Sequence, residues 1–294
     1  MNLLIDFKAD WHKILRRVTK SELDIDLGAA DSKDVPVLYF NAIQRRISAR
    51  PRTIHIADTF HCPEELQEGW VAVQALIEGG ADLTAHLSKL VAKAGCTDGL
   101  LNDWGVHHLH LGGTVKKGWV PRTGRLLFAR VTPDAFYAIG IFDHDAWVDG
   151  EIVETIHRNW PSTIAQWKLN NVAGEQLTVE HRSALRSKNT NSFFLTTDNV
   201  TYGPIGGGMV ASGHNLFAVI SMDKFHDLLE RLEVRLRETA PEIWPHLAAR
   251  GCSLEAEIRA ELVLTEGYYS ALFPDFGLLV NFYPREAGEG GVHP

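Results

Sequence analysis

The 294-residue sequence predicts an α+β fold in which a small antiparallel central sheet is flanked by helices and followed by a C-terminal β-hairpin, helix and β-strand subdomain. Three observations predict it. Capped helical segments dominate the first hundred residues, short β-rich runs separated by turn residues occupy the middle, and a hairpin, a long amphipathic helix and further strands fill the last third. Helices and strands therefore come in runs, without regular βαβ alternation.

The elements follow in order. Residues 9–18 have the apolar spacing of a helix, while 35–40 and 50–57 read as strands. His-Cys-Pro-Glu-Glu-Leu at 61–66 opens a helix with Pro and acids in its first turn, and Gly79 with Gly80 closes it. Asp82 caps a second helix that runs to about residue 94, with Gly95 as its stop. Strands at 106–111, 125–131 and 136–142, punctuated by Gly112 and Gly113 and by Pro133 and Asp134, form the central antiparallel sheet. A helix over 149–158 is interrupted at Trp160 and Pro161, and further helical turns reach residue 169. A hairpin at 193–202 turns at Asp198 and Asn199. A glycine-rich loop at 203–213 then leads to helices at 222–238 and 241–249 and to strands near 257–265 and 276–282. The expected regions are 1–100, 101–175 and 176–284, with a flexible tail at 285–294.

A hydrophobic content of 45% with 22% charged residues supports a sizeable core. No window approaches the roughly 20 apolar residues that span a bilayer, and no signal-peptide pattern opens the chain, so the expectation is a cytoplasmic protein with no membrane partner. Cys62, Cys96 and Cys252 are odd in number and far apart, which argues against a disulfide framework and a CxxC zinc pattern.

The chemistry concentrates in Asp-Trp-Gly-Val-His-His-Leu-His-Leu-Gly-Gly at 103–113 and its continuation to Arg130. Three histidines and five basic residues fall here, and residues 105–133 contain no acid, in a chain whose formal net charge is -8. A local reversal of sign on an acidic chain marks a surface that meets an anion. Strand alternation puts His108 and His110 on one face, with His107, Leu109 and Leu111 on the other. The following connection carries Lys116, Lys117, Arg122 and Arg125, and the third strand delivers Asp143, His144 and Asp145 at its end. Imidazoles beside a cationic fork are the parts needed to hold a phosphodiester, take a hydroxyl proton and protonate the leaving oxygen. The same inventory permits a metal site of His108, His110 and His144 with Asp143 or Asp145. It is also that of surface histidines on a half-exposed sheet, with a polar helix-capping turn at 143–145.

Two further basic segments lack acids: 36–57, with Arg45, Arg46, Arg50 and Arg52, and 181–197, with Arg182, Arg186 and Lys188. Arg45, Arg46, Lys116, Lys117, Arg130, Arg182 and Arg186 are the candidates for one nucleic-acid groove, and separate solvated faces are the competing reading. The loop at 203–213 matches neither the P-loop nor the dinucleotide fingerprint, so a tight turn competes with a phosphate cradle, and Ser212 and His214 stand within it or beside it. No Gly-x-Ser-x-Gly elbow is present. The stripe Phe225, Leu228, Leu229, Leu232 and Leu236 is core or a partner surface, and Trp104, Trp119, Trp147, Trp160 and Trp167 either pack inside or stack bases.

His-Leu-His-Leu-Gly, then Arg-Thr-Gly-Arg-Leu-Leu-Phe-Ala-Arg, then Phe-Tyr-Ala-Ile-Gly-Ile-Phe-Asp-His together resemble the sheet of RelE/ParE-type bacterial toxins over residues 105–146. That resemblance implies an RNA-directed activity, with Arg122, Arg125 and Arg130 at the matching positions. This chain differs in its large flanking regions and in the histidines of the first strand. The whole chain also resembles an uncharacterised bacterial protein family marked by Asp-Trp-Gly-x-His-His-Leu-His-Leu and the late Gly-Gly-Gly loop, a likeness that implies no function.

The expected function is a nucleic-acid-directed hydrolase, a ribonuclease-like toxin or defence factor whose site is His108, His110, Arg122, Arg125 and His144. A non-catalytic nucleic-acid or protein interaction module and a metal-dependent small-molecule hydrolase are the alternatives. The expected partners are RNA or another nucleic acid and an antitoxin or other protein. The sequence names no cofactor.

Overall fold

The computed structural model describes residues 2–144, 146–172 and 174–285, so Asp145 and all but the first residue of the expected tail lie outside the described residues. The fold is α+β. In chain order it begins with β1 (Asn2–Ile5), α1 (Phe7–Leu23), α2 (Val35–Gln44), β2 (Thr53–Ile56), α3 (Gln67–Gly79) and α4 (Gly99–Trp104). Next come β3 (Val106–His110), β4 (Arg125–Val131), β5 (Ala135–Asp143), α5 (Glu151–Asn159), β6 (Lys168–Leu169) and α6 (Val179–Ser187). The chain closes with β7 (Phe194–Leu195), β8 (Thr201–Tyr202), α7 (Leu216–Ala248), β9 (Glu257–Thr265), β10 (Tyr268–Phe273) and β11 (Leu278–Pro284).

These elements form two compact units, residues 1–40 with 219–294 and residues 41–218. The three consecutive regions expected from the sequence are regrouped because the N-terminal strand pairs with the last third of the chain. In the first unit a four-stranded sheet has the order β1-β9-β10-β11, with β1 parallel to β9 and the remaining pairs antiparallel. Past the end of β1, the Leu262 amide of β9 is bonded instead by Asp10 of α1, whose Oδ2 accepts it at 2.9 Å. Trp11 stacks on Phe225 at 4.7 Å, and the stripe from Phe225 to Leu236 is buried core.

The second unit carries the candidate chemistry. Its sheet has the order β2-β5-β4-β3; β3, β4 and β5 are antiparallel as expected, and β2 joins β5 in parallel. Both faces are covered. On one side Leu109, Leu127, Ala129, Phe136 and Ala138 meet Trp70, Val73 and Ile77 of α3. On the other, Val106, Leu126, Phe128 and Ile139 meet Trp104 of α4 and Ile152, Val153 and Ile156 of α5. At roughly 1.5–3 kcal/mol for each fully buried large apolar side chain, these two layers hold the sheet rigid on both faces.

Several local expectations are corrected. Residues 35–40 are helical: Pro36 sits in the first turn of α2, where its missing N–H costs nothing. No single helix spans 82–94. Two short 3-10 turns, Thr84–His86 and Lys89–Ala92, take its place, because the Asp82 carboxylate accepts the Thr84 amide and the Ser88 hydroxyl accepts the Leu90 amide. The two late helices are one, α7, which runs through Pro241 and Pro245 while buried Leu236, Ile243 and Leu247 keep its apolar face continuous. The elements β1, α4, α6 and β10 were not anticipated, nor was β6, which stands where helical turns were expected to reach residue 169.

Candidate active site

Strand β3 is an edge strand, and α4 aims it. Asp98 caps α4 by accepting the Leu101 amide at 3.0 Å, and Gly105 ends it in a left-handed conformation (φ 65°), turning the chain into Val106. The apolar residues on alternate positions of β3 are buried in opposite layers, Val106 against Leu126 and Phe128, Leu109 against Leu127, so His108 and His110 share the face of Val106.

A pocket of about 550 Å³ opens along this strand, within the range of small-ligand sites. It brings together His107, His108, His110, Arg122, His144 and Asp98. His108 Nδ1 lies 3.6 Å from Asp98 Oδ2, beyond hydrogen-bond length but within reach of an ion pair. Its ring meets the Trp147 indole edge-on at 4.6 Å, and the exposed His144 ring meets the same indole at 5.2 Å. Phe128 stacks behind Trp147 at 5.5 Å.

The imidazoles differ in electrostatics. His110, only 4% exposed, is pushed down to about 4 by burial and by the Arg122 charge. Its Nδ1 accepts the Thr123 amide at 3.2 Å, so the ring proton sits on Nε2 and His110 is a neutral donor. His107 is also pushed down to about 4, chiefly by burial. His108 is lowered by burial, with Asp98 opposing and His144 adding to the shift. Asp98 lies on the Nδ1 side of the His108 ring, whose Nδ1 is enclosed and makes no hydrogen bond among the described residues.

Three arginines, Arg45, Arg122 and Arg186, and one carboxylate, Asp98, line the pocket, so it is cationic in a chain of net charge -8. Their circumstances differ. Arg122 is exposed and makes no ion pair or hydrogen bond among the described residues. Arg45 is buried, and its guanidinium is spent on the carbonyls of Asn41, Leu90 and Lys93, fixing the wall at 87–94. Arg186 pairs with Asp103 at 2.6 Å and donates to the Trp147 carbonyl.

The other basic candidates do not gather in one groove. Arg125 lies outside the pocket, exposed and paired across the strands with Asp143 at 3.0 Å. Lys116 and Lys117 occupy an exposed turn closed by the bridge between Lys116 and Trp119, also outside the pocket. Arg46 donates to Thr84 Oγ1 at 3.4 Å. Arg130 is buried, bonded to the Thr163 carbonyl at 3.0 Å and stacked 5.0 Å from Trp167, and burial pushes it down to about 10. Arg182 is buried over Trp104 and Phe194. The expectation of a shared phosphate-tracking face is therefore corrected for Arg130 and Arg182, buried against aromatic rings outside the pocket, and for Arg45, whose donors are taken by carbonyls in the pocket's wall.

The glycine loop is likewise a packing device. The amides of Gly206 and Gly208 bond the carbonyls of Asp103 and Asn102 at 3.0 and 2.8 Å, supplying donors to the C-terminal end of α4. A Cβ at Gly206 would fall 1.9 Å from the Leu101 carbonyl oxygen. Ser212 and His214 bond each other at 2.9 Å and do not line the pocket. Among the described residues, no group of three His, Cys, Asp or Glu side chains is placed to hold one metal ion. No described helix is long and apolar enough to cross a membrane.

Asp98 is the residue that sequence reasoning missed. Its signal was the local pattern Thr-Asp-Gly before an apolar run, a helix-cap signature at 97–99. His107 was missed because alternation places it on the far face, yet at a sheet edge both faces open to one cavity. No protein-family model, curated protein or solved structure matches this chain.

Proposed function

We propose that residues 41–218 form a metal-independent acid–base hydrolase for phosphodiesters of nucleotide size, with RNA as the substrate class. The observation that carries the reading is the Asp98–His108 pair facing His110, His144 and Arg122 in one cationic pocket. His108 Nε2 takes the proton of the attacking hydroxyl, either water or the neighbouring 2′-hydroxyl. As the new P–O bond forms and the bond to the leaving oxygen breaks, His144 gives that oxygen a proton. The neutral Nε2–H of His110 and the Arg122 guanidinium stabilise the charge that develops on the phosphoryl oxygens. The pocket's positive balance favours an anionic substrate, and the buried Arg45, Arg130 and Arg182 argue against a long basic track, so recognition is local to a nucleotide or two.

Labelled total RNA is incubated with purified protein, with and without EDTA, alongside the His108→Ala, His110→Ala variant. The expected result is cleavage that survives EDTA and disappears in the variant. Cleavage lost to EDTA overturns the metal-independent assignment, and equal RNA binding by both proteins without turnover by either makes this a binding module.

A further inference from the structure

His110 is the last residue of β3, an edge strand with no further strand beside it. A backbone carbonyl directed off such an edge needs a partner from elsewhere in the fold or from water. The His110 carbonyl is met by the side chain of His86, whose Nδ1 lies 2.8 Å from it. A carbonyl only accepts, so His86 Nδ1 carries the proton and donates it to this bond. His86 is 3% exposed, and burial lowers it below the ordinary imidazole value while the bond to His110 opposes the shift, so at neutral pH it acts as a neutral ring.

His86 does not line the pocket itself. It ends the 3-10 turn Thr84–His86, and the next two residues, Leu87 and Ser88, belong to the pocket wall. The carbonyl before it, of Ala85, accepts the Val120 amide at 3.0 Å, two residues ahead of Arg122. This turn therefore ties together the end of β3, the wall that begins at Leu87 and the connection that carries Arg122 and Thr123. His110 is held at two points as a result: its carbonyl by His86, and its ring Nδ1 by the Thr123 amide at 3.2 Å. The next carbonyl, of Leu111, presses on α3, where a Cβ on Gly69 would fall 1.9 Å from its oxygen. With the peptide plane and the ring both fixed, the direction of the His110 Nε2–H is fixed too.

From this arrangement we infer that His86 is a positioning residue of the site: through the His110 carbonyl it sets the direction from which the His110 Nε2–H meets the phosphoryl oxygens. This rests on the acid–base reading above and goes beyond it, placing one determinant of the rate outside the pocket. Such support matters because a displacement of about 1 Å in a catalytic group costs on the order of 100-fold in rate.

Three variants test it. His86→Asn keeps an amide N–H close to where Nδ1 stands, His86→Gln carries that N–H further along the side chain, and His86→Leu removes it but keeps an apolar side chain. The readouts are the proton–nitrogen correlation spectrum of the His110 ring, assigned by its loss in His110→Ala, and kcat and KM for RNA cleavage. In wild type and His86→Asn the ring is expected to be a single Nε2–H tautomer that titrates at about 4. In His86→Gln and His86→Leu it is expected to show mixed tautomers and to titrate higher, with kcat lower by about tenfold or more and KM unchanged. A ring spectrum and kcat identical to wild type in all three variants overturn the positioning role, as does a loss in His86→Asn equal to that in His86→Leu. If His86→Leu does not fold, the Asn and Gln variants decide on the same readouts. Wild type that cleaves no RNA, while its His110 ring still depends on His86, overturns the acid–base reading and leaves the positioning of the ring in place.

Discussion

Asp98 Oδ2 stands 3.6 Å from His108 Nδ1 while its other oxygen, Oδ1, caps α4 through the Leu101 amide. One carboxylate thus caps the helix that aims β3 and stands on the Nδ1 side of the strand's central histidine. Asn and Ala substitutions separate the two roles. Asp98→Asn keeps a capping oxygen and is expected to leave stability nearly unchanged while lowering kcat by about 100-fold, the scale of a general base. Asp98→Ala loses about 1 kcal/mol in addition. Thermal melts beside single-turnover cleavage check both, and an Asn variant with full activity removes Asp98 from the mechanism.

The histidines give the protein an acid limit. His107 and His110 are held near 4 when folded, against about 6.5 when unfolded, so the folded state prefers them neutral. A lowered histidine contributes stability that is fully present above about pH 6.5 and is lost as pH falls from there through about 4. Urea midpoints are therefore expected to be flat above pH 7 and to fall steeply between pH 6.5 and 4. His110→Asn is expected to flatten that slope, and an unchanged slope would falsify the assignment.

Activity should follow the same direction through His108. Its folded value lies below that of a free imidazole, so the base stays competent at mildly acidic pH and is lost on further acidification. The acidic limb of the kcat/KM profile is expected below pH 6.5. A limb above that value assigns the base elsewhere.

Arg122 and Arg130 are expected to part company. Arg122→Ala removes an exposed cation from the pocket and should raise KM while leaving the melting temperature in place. Arg130→Ala empties a site between the Thr163 carbonyl and the Trp167 ring and should cost roughly 2–3 kcal/mol through lost packing, with little effect on KM. Denaturation and steady-state kinetics on the two variants distinguish them.

Gly206 tests the role of the glycine loop. An added methyl collides with the Leu101 carbonyl oxygen at 1.9 Å, so Gly206→Ala must push the loop off α4, at about 1–3 kcal/mol. A phosphate cradle predicts instead lost affinity with stability intact.

Much of this was legible in the sequence where one period dominated. The alternation of Val106, Leu109 and Leu111 located β3 and the face of His108 and His110, and turn residues bounded β4 and β5. The convergence of His108, His110, Arg122 and His144 on one pocket follows from antiparallel pairing, which returns residues distant in the chain to one end of the sheet. What could not be read depended on partners remote in sequence. A basic residue in an acid-free segment looks the same whether it points to water, as Arg122 does, or into the Trp104 layer, as Arg182 does. Residues 35–40 carry β-branched residues yet form a helix because Val35, Val37 and Tyr39 all bury on it, and tertiary burial outweighs propensity.

The parallel pairing of β1 with β9 bears on how the chain is made. Asn2 meets Glu257, 255 residues later, so the first strand leaves the ribosome with its partner not yet translated. At roughly 5–20 residues per second it waits roughly 13–50 s, while residues 41–218 are completed in between and are free to close their own sheet. The unit that carries the histidine pocket is thus synthesised whole before the strand that pairs with β1 exists.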